Sequence, residues 1–150
     1  MQTSLFNKTL QTKAGSAAFI LRVPIGLILA AHGAQKLFGW FGGNGLAGTA
    51  QWLSSMGIEP GYLMALLAGG AEFFGGLALV IGLLTRPAAL VAAFTMLVAI
   101  FSVHIGNGLF AADGGYEYAL TLFVTLIALA VQGGGYLSVD KALSEKLGRV

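Results

Sequence analysis

The 150-residue chain has no cysteine, and only 9% of its residues are charged. Without cysteine, disulfide bonds, thiol–disulfide exchange, persulfide chemistry on the protein and iron–sulfur ligation by this chain are all excluded. Eight lysines and arginines are too few for a nucleic-acid footprint, so we expect no nucleic-acid partner. Soluble domains typically have about a quarter of their residues charged, so the scarcity of charge favours a membrane protein.

What the chain has instead is apolar sequence, with 57% hydrophobic residues and a mean hydropathy of +0.83. We expect an all-α polytopic membrane protein, a four-transmembrane-helix bundle that forms a single domain over 1–150. The four spans are predicted at about 17–38, 61–84, 87–105 and 116–133, since a span needs about 20 residues. Two short amphipathic helices are also predicted, one containing Trp52, Leu53 and Met56 on the membrane surface and one in VDKALSEKL. Residues 1–16 are predicted to be a retained tail rather than a signal peptide.

The positions of the cations predict the orientation of the bundle. Arg22 lies near the start of the first span, where we expect it to snorkel to the interface. In a four-span arrangement, Lys36 is the only one of the eight lysines and arginines that lies towards the outer side of the membrane. The other seven cations fall on the opposite side: Lys8, Lys13, Arg22, Arg86, Lys141, Lys146 and Arg149. Because cytoplasmic segments are enriched in lysine and arginine, both termini are predicted to be cytoplasmic.

Glu72 is the most informative residue because it lies inside an apolar stretch. An ionised carboxylate in hydrocarbon costs several kcal/mol or more unless it is protonated, paired or hydrated. Ala68 and Gly76 lie one helical turn to either side, which predicts a narrow face that a neighbouring helix approaches closely. A charge within a membrane is by default a functional-site hypothesis, and the alternative is local packing.

More polar side chains are predicted near Glu72, in the outer half of the bundle. They are His32, Lys36, His104 and Glu117, with Gln35 beside Lys36. Lys36 is the natural partner of Glu72 or Glu117, and the inner half is predicted to hold almost no polar groups. The cluster indicates either an ionic knot that fixes helix register, or a polar cavity that handles a proton or a small polar head group.

A haem or metal site is less consistent with this pattern. His32 and His104 are expected to differ in depth by about 9 Å at 1.5 Å per residue. Two axial haem ligands need similar depth. A metal site formed by both histidines and Glu72 would also need these ligands at a similar depth, and the sequence around them contains no metal-binding spacing motif. No metal site is therefore predicted.

Three segments resemble the DoxX family of small bacterial membrane proteins. They read LRVPIGLILAAHGAQKLFG, AGGAEFFGGLALVIGLLTRPAA and NGLFAADGGYEYAL, and they cover most of residues 19–135 in the family's order. The resemblance implies a four-helix, multi-pass protein of the bacterial inner membrane. It carries over the positions His32, Lys36, Glu72, Arg86, Asn107 and Glu117. It also implies a link to membrane oxidoreductases, because some relatives are subunits of such complexes, including thiosulfate:quinone oxidoreductase.

These observations lead to a first hypothesis and two alternatives. The first is an accessory or quinone-interacting subunit of a membrane redox system, at most one subunit of an oxidoreductase. Glu72 would accept protons, Lys36 would be its electrostatic partner and His32 a hydrogen-bond donor. Gln35, Arg86, His104, Asn107 and Glu117 would support binding. A quinone is the one cofactor that this hypothesis implies, with redox-complex subunits or a second copy of the chain as partners. The alternatives are a non-catalytic membrane scaffold or assembly protein and a small transporter.

Overall fold

The structure is a computed structural model that describes residues 15–147, and most of these residues are helical, with no strand among them. The predicted tail lies almost entirely outside the described residues, as do Lys8, Lys13 and Arg149. The α-helices of the described part are α1 Ser16–Phe38, α2 Gly45–Ser55, α3 Gly61–Ile81, α4 Thr85–Ala99, α5 Glu117–Gln132 and α6 Val139–Lys146. The all-helical prediction is therefore confirmed for residues 15–147.

Three segments are long and apolar enough to cross a membrane. They are Ser16–Phe38, Gly61–Ile81 and Thr85–Asn107, and the last consists of α4 and its continuation. The helix α5 is apolar but has only 16 residues. At 1.5 Å per residue it extends about 24 Å, less than the ~30 Å of a typical hydrocarbon core.

The boundary between the second and third spans differs from the prediction by a few residues. Helix α3 ends at Ile81 because Gly82 adopts a left-handed conformation, with φ of 70°. Glycine takes this conformation at little cost, which makes it a common helix terminator. Pro87 lies in the first turn of α4.

The end of the third span is not the regular helix that the sequence predicted. After Ala99 the chain forms a π-helical turn over Ile100–His104 and a 3₁₀ turn over Ile105–Asn107. A π-helical turn inserts an extra residue into the helical repeat, and turns of this type are frequent at functional sites. Here the turn sets the direction of Ser102 and His104 relative to the rest of α4.

Helices α1 and α3 make the most extensive helix–helix contact, and glycine allows it. A Cβ added at Gly33 would lie 2.3 Å from the Phe73 nitrogen, and one added at Gly76 would lie 2.5 Å from the Ala30 nitrogen. The predicted narrow face is confirmed at Gly76 but not at Ala68, which is only half-buried. Its second close-packed position is Gly69, since Gly33 would also meet the Gly69 oxygen at 2.7 Å. Small residues at such contacts let helix backbones approach closely.

The remaining helices complete a bundle with an apolar exterior. Helices α4 and α5 pack together, α3 lies between α1 and α4, and α2 packs on α3. Leu29, Leu79 and Leu126 are fully buried in the main core. Large apolar side chains also project outward from the four long helices, among them Leu27, Leu67, Phe74, Phe94, Phe101 and Val131. An exterior of this kind suits lipid rather than water as its surroundings.

Candidate functional site

Lys36 and Glu72 form an ion pair between α1 and α3, which we call the lysine cluster. The Glu72 side chain is only 5% exposed, whereas that of Lys36 is 27% exposed. Close packing of the helices brings the two side chains together, because a Cβ at Gly69 would lie 3.2 Å from the Lys36 Cβ. Of the two partners that the sequence offered Lys36, the structure selects Glu72.

The lysine cluster lies on the wall of a cleft of about 950 Å³ between α2, α3 and α4. Most of the lining is apolar, and much of it is exposed, including Leu67, Leu90 and Phe94. The polar side chains that reach the cleft are Lys36, Glu72, Thr95, Ser102 and His104. An apolar pocket with a few convergent polar groups is the usual form of a small-molecule site.

Gly70 keeps part of this cleft open. It lines the cleft, and a Cβ added there would have no heavy atom within 4 Å. Trp52 and Leu53 of α2 close the cleft from another side. The short helix predicted around Trp52 is present as Gly45–Ser55, and its Leu53 packs with Ala65 of α3 in a small core. Its predicted place on the membrane surface stays a prediction.

His32 and Gln35 lie near the lysine cluster but outside the cleft. The exposed His32 is within electrostatic reach of Lys36 and Glu72, and its ring lies 6.2 Å from that of Tyr118 on α5. The Gln35 amide nitrogen donates to the Phe41 carbonyl at 3.2 Å. Gln35 therefore holds the turn that follows α1, and His32 faces α5.

His104, Asn107 and Glu117 are held by the segment that joins α4 to α5. The His104 Nδ1 lies 2.7 Å from the Gly114 carbonyl oxygen, to which the Asn107 amide also donates at 3.2 Å. Glu117 accepts a hydrogen bond of 2.7 Å from the Ala111 amide. Asn107 and Glu117 thus organise this segment, and of the three only His104 lines the cleft.

Arg22 does not snorkel to the interface, so this expectation was wrong. Its side chain is fully buried and donates to the carbonyls of Leu79 and Gly134 at 3.0 Å and of Leu137 at 2.6 Å. It also donates to the Val80 carbonyl. These carbonyls can accept from Arg22 because they lie in the last turn of α3 or in the turn after α5, where regular helical partners are missing. The Leu79 carbonyl also accepts from the Gly82 amide at 3.1 Å.

Arg86 and Asp140 lie at the same end of the bundle as Arg22, and we call the three the arginine cluster. Arg86 donates to the carbonyls of Ala130 and Val131 at 2.9 and 2.6 Å, at the end of α5. The buried Asp140 accepts from the Leu84 and Thr85 amides at 2.6 and 2.8 Å, where α4 begins. The prediction that this half of the bundle holds almost no polar groups was therefore wrong.

The structure thus separates the predicted site residues into groups. Lys36, Glu72 and His104 share the cleft, His32 lies next to it, and Gln35, Asn107 and Glu117 hold turns at the same end. Arg86 lies at the opposite end. The cleft residues Gly70, Thr95 and Ser102 were not predicted, since neither glycine nor an isolated hydroxyl stands out in an apolar sequence. Among residues 15–147, no group of three or more His, Cys, Asp or Glu side chains is placed to hold a metal ion.

Comparison with known proteins assigns the chain to a family. It is 37% identical over 110 residues to the inner membrane protein YqjF of Escherichia coli, which covers 72% of this chain and 82% of that protein. It is 33% identical over 121 residues to the "Putative oxidoreductase CatD" of Bacillus subtilis, which covers 81% of this chain and 82% of that protein. No solved structure matches it. Residues 17–105 match the DoxX family. The chain therefore belongs to the DoxX family, and it is a membrane protein.

Proposed function

We propose that this protein is an accessory, quinone-interacting subunit of a membrane redox system. One observation carries the proposal: the Lys36–Glu72 pair lies on the wall of a 950 Å³ cleft whose remaining lining is mostly apolar. A quinone needs both features, because its head group has polar oxygens and its tail is apolar. The name of the Bacillus relative, which includes the word oxidoreductase, supports a redox role.

The exposed apolar rim of the cleft favours a ligand that arrives through the lipid. Leu67, Leu90 and Phe94 are each more than half exposed. Such side chains would face acyl chains in a bilayer, so a ligand could enter sideways between α3 and α4. A water-soluble substrate would gain little from this route, since it would have to leave water first.

Within the proposal each polar group has a distinct role. Lys36 donates to a head-group oxygen, and Glu72 accepts a proton from the head group or from Lys36. His32 faces away from the cleft, so it acts on the lysine cluster rather than on the ligand. The chain contributes a binding site and proton exchange, whereas electron transfer needs a partner subunit that carries the donor or acceptor.

The proposal is tested by filling the cleft without touching the charges. Gly70→Leu adds a side chain where a Cβ has no neighbour within 4 Å, so folding should survive. In lipid nanodiscs, this variant should retain at least tenfold less of a short-chain benzoquinone than the unchanged protein does. Leu77→Phe is the matched control, because Leu77 lies on the same helix, is 43% exposed and does not line the cleft.

Two results would overturn the proposal. One is equal retention, for the quinone and also for its quinol, by the unchanged protein and by Gly70→Leu, and the other is no specific retention of the quinone or the quinol by either protein. In the second case a scaffold role is favoured, in which the lysine cluster only fixes the register of α1 against α3. Uptake of a solute into liposomes that contain the purified protein would instead favour the transporter alternative.

The proposal also includes a topology of four spans in the inner membrane, with both termini in the cytoplasm. Helix α5 supports it. Its first residue, Glu117, bonds the Ala111 amide in the segment between α4 and α5, and Ala130 and Val131 in its last turn bond Arg86 in the first turn of α4. Helix α5 therefore runs alongside α4 from one end of the bundle to the other. A short span is accommodated by local thinning of the bilayer.

Reporter fusions test this topology. Reporters at Met1 and Val150 should read as cytoplasmic, whereas one within the segment between α1 and α3 should read as periplasmic. An external reporter at Val150 would contradict four spans.

A further inference from the structure

The hydrogen bond from His104 to the loop fixes which ring nitrogen can meet a ligand. A carbonyl oxygen only accepts, so the His104 Nδ1 must donate its hydrogen to the Gly114 oxygen, 2.7 Å away. In the neutral imidazole the other nitrogen, Nε2, is then an acceptor. His104 therefore brings hydrogen-bond acceptance to the cleft that it lines.

The loop that holds this tautomer is itself well fixed. The Tyr116 amide donates to the Gly108 carbonyl at 3.1 Å, and the Glu117 amide donates to the Leu109 carbonyl at 2.9 Å. Asn107 donates to the same Gly114 oxygen as His104. The position of the Gly114 carbonyl, and with it the tautomer of His104, follows from the fold rather than from the ligand.

Lys36 supplies the opposite polarity to the same cleft. An ammonium group has three donor hydrogens and no acceptor, and one donor is engaged by Glu72. Its side chain remains 27% exposed, so further donors are available. The cleft thus combines a donor at Lys36 with an acceptor at His104.

From this combination we infer that the cleft selects the reduced, hydroxyl-bearing form of its ligand: a lipid-soluble quinol, with a hydroxyl that donates to His104 and an oxygen that accepts from Lys36. The inference rests on the proposed function and specifies its substrate. An oxidised quinone has only acceptor oxygens, so it satisfies Lys36 but leaves the His104 Nε2 without a donor. An acceptor that ligand binding removes from water without supplying a donor lowers affinity.

Three probes separate these possibilities: a short-chain alkyl benzoquinol, its quinone, which has nearly the same shape, and its dimethyl ether, which is larger by two methyl groups. The ether keeps the oxygens but has no hydrogen to donate. Binding is measured without oxygen, by mass spectrometric counting of probe retained in nanodiscs. After subtraction of the retention by Gly70→Leu, the unchanged protein should retain the quinol about tenfold better than the quinone and than the ether, since one hydrogen bond is worth about that factor.

Two variants of His104 distinguish the role of its acceptor nitrogen, Nε2, from the role of its hydrogen bond to Gly114. Asparagine places an amide nitrogen near the Nδ1 position, so His104→Asn keeps a donor for Gly114 but has no acceptor at the Nε2 position. Glutamine places its amide near Nε2, so His104→Gln keeps a polar group facing the cleft and gives up the Gly114 bond. His104→Asn should lose the quinol preference, and His104→Gln should keep part of it.

Each other result overturns the inference. Equal retention of quinol and ether by the unchanged protein would show that no hydroxyl is recognised, while the proposed function survives if both exceed Gly70→Leu. Equal losses of quinol and ether in His104→Asn would assign His104 a structural role only. Retention of no probe above Gly70→Leu would remove the proposed function as well. If His104→Asn does not fold, the comparison of quinol with ether in the unchanged protein still decides.

Discussion

The arginine cluster and the lysine cluster both place charges inside an apolar bundle, but they differ in their partners. Arg22 bonds four backbone carbonyls that belong to α3 and to the turn after α5. Asp140 bonds two backbone amides at the start of α4. Within residues 15–147, Glu72 has a single hydrogen-bonding partner, the Lys36 ammonium, and both line a cleft.

This difference distinguishes a structural charge from a candidate site. The Arg22 guanidinium is fully buried and makes four hydrogen bonds to fixed backbone oxygens, so it has little left to offer a ligand, and it ties together segments that are distant in the sequence. The Lys36 ammonium keeps free donors and part of its exposure, so it can bond a ligand without breaking the fold. The comparison predicts that the two clusters respond to substitution in different ways.

The largest expected effect is on stability at the arginine cluster. Arg22→Met should lower the free energy of unfolding by about 3–5 kcal/mol, because it leaves several buried carbonyls without a donor. Chemical unfolding in detergent measures this. Quinone retention per folded molecule should stay unchanged. The free energy of unfolding of Arg22→Lys should lie between those of the unchanged protein and Arg22→Met, since a lysine has fewer donors than an arginine and no planar guanidinium. A Met variant as stable as the parent would show that the cluster is not a structural lock.

A smaller loss of stability is expected at the lysine cluster. Lys36→Met should cost about 2–3 kcal/mol, less than for a fully buried pair because the Lys36 side chain keeps some exposure. Adding Glu72→Gln should recover part of the loss, since the double variant has no unpaired charge. Additive losses in this double-mutant cycle would show that the two groups are not coupled.

The smallest effect is expected at Asp140. Asp140→Asn weakens the acceptor for the Leu84 and Thr85 amides and should cost about 1–2 kcal/mol. Hydrogen exchange at these two amides should become faster. Glu145→Gln is the control, because Glu145 is 60% exposed in its pair with Lys141 and such pairs are worth about 0.5 kcal/mol. Unchanged exchange at Leu84 and Thr85 would contradict the role of Asp140 in starting α4.

The sequence predicted the apolar helices and the charge at Glu72 because both are local signals. Hydropathy predicts where a span lies. A lone carboxylate within the span needs a partner, and the residues one helical turn away on α3 do not provide one. Gly76 was recognised as a close-contact residue for the same reason. The short helices α2 and α6 also follow from local pattern and were confirmed.

The arginine cluster could not be predicted in the same way, because its bonds join distant segments. The carbonyls that hold Arg22 lie 57 to 115 residues away in the chain. Their positions depend on where α3 ends and on the return of the segment after α5. Similarly, Glu117 was expected near Lys36 but instead holds the turn before α5, since the Ala111 amide offers a nearer partner.

The central claim is that the lysine cluster is a binding site and not only a structural pair. Glu72→Gln tests it most directly, because glutamine keeps the shape of the side chain but cannot ionise. Thermal unfolding and quinone retention are measured on the same preparation. We predict a folded protein with slightly lower stability and at least tenfold weaker retention. Full retention per folded molecule, with the loss confined to stability, would contradict the claim.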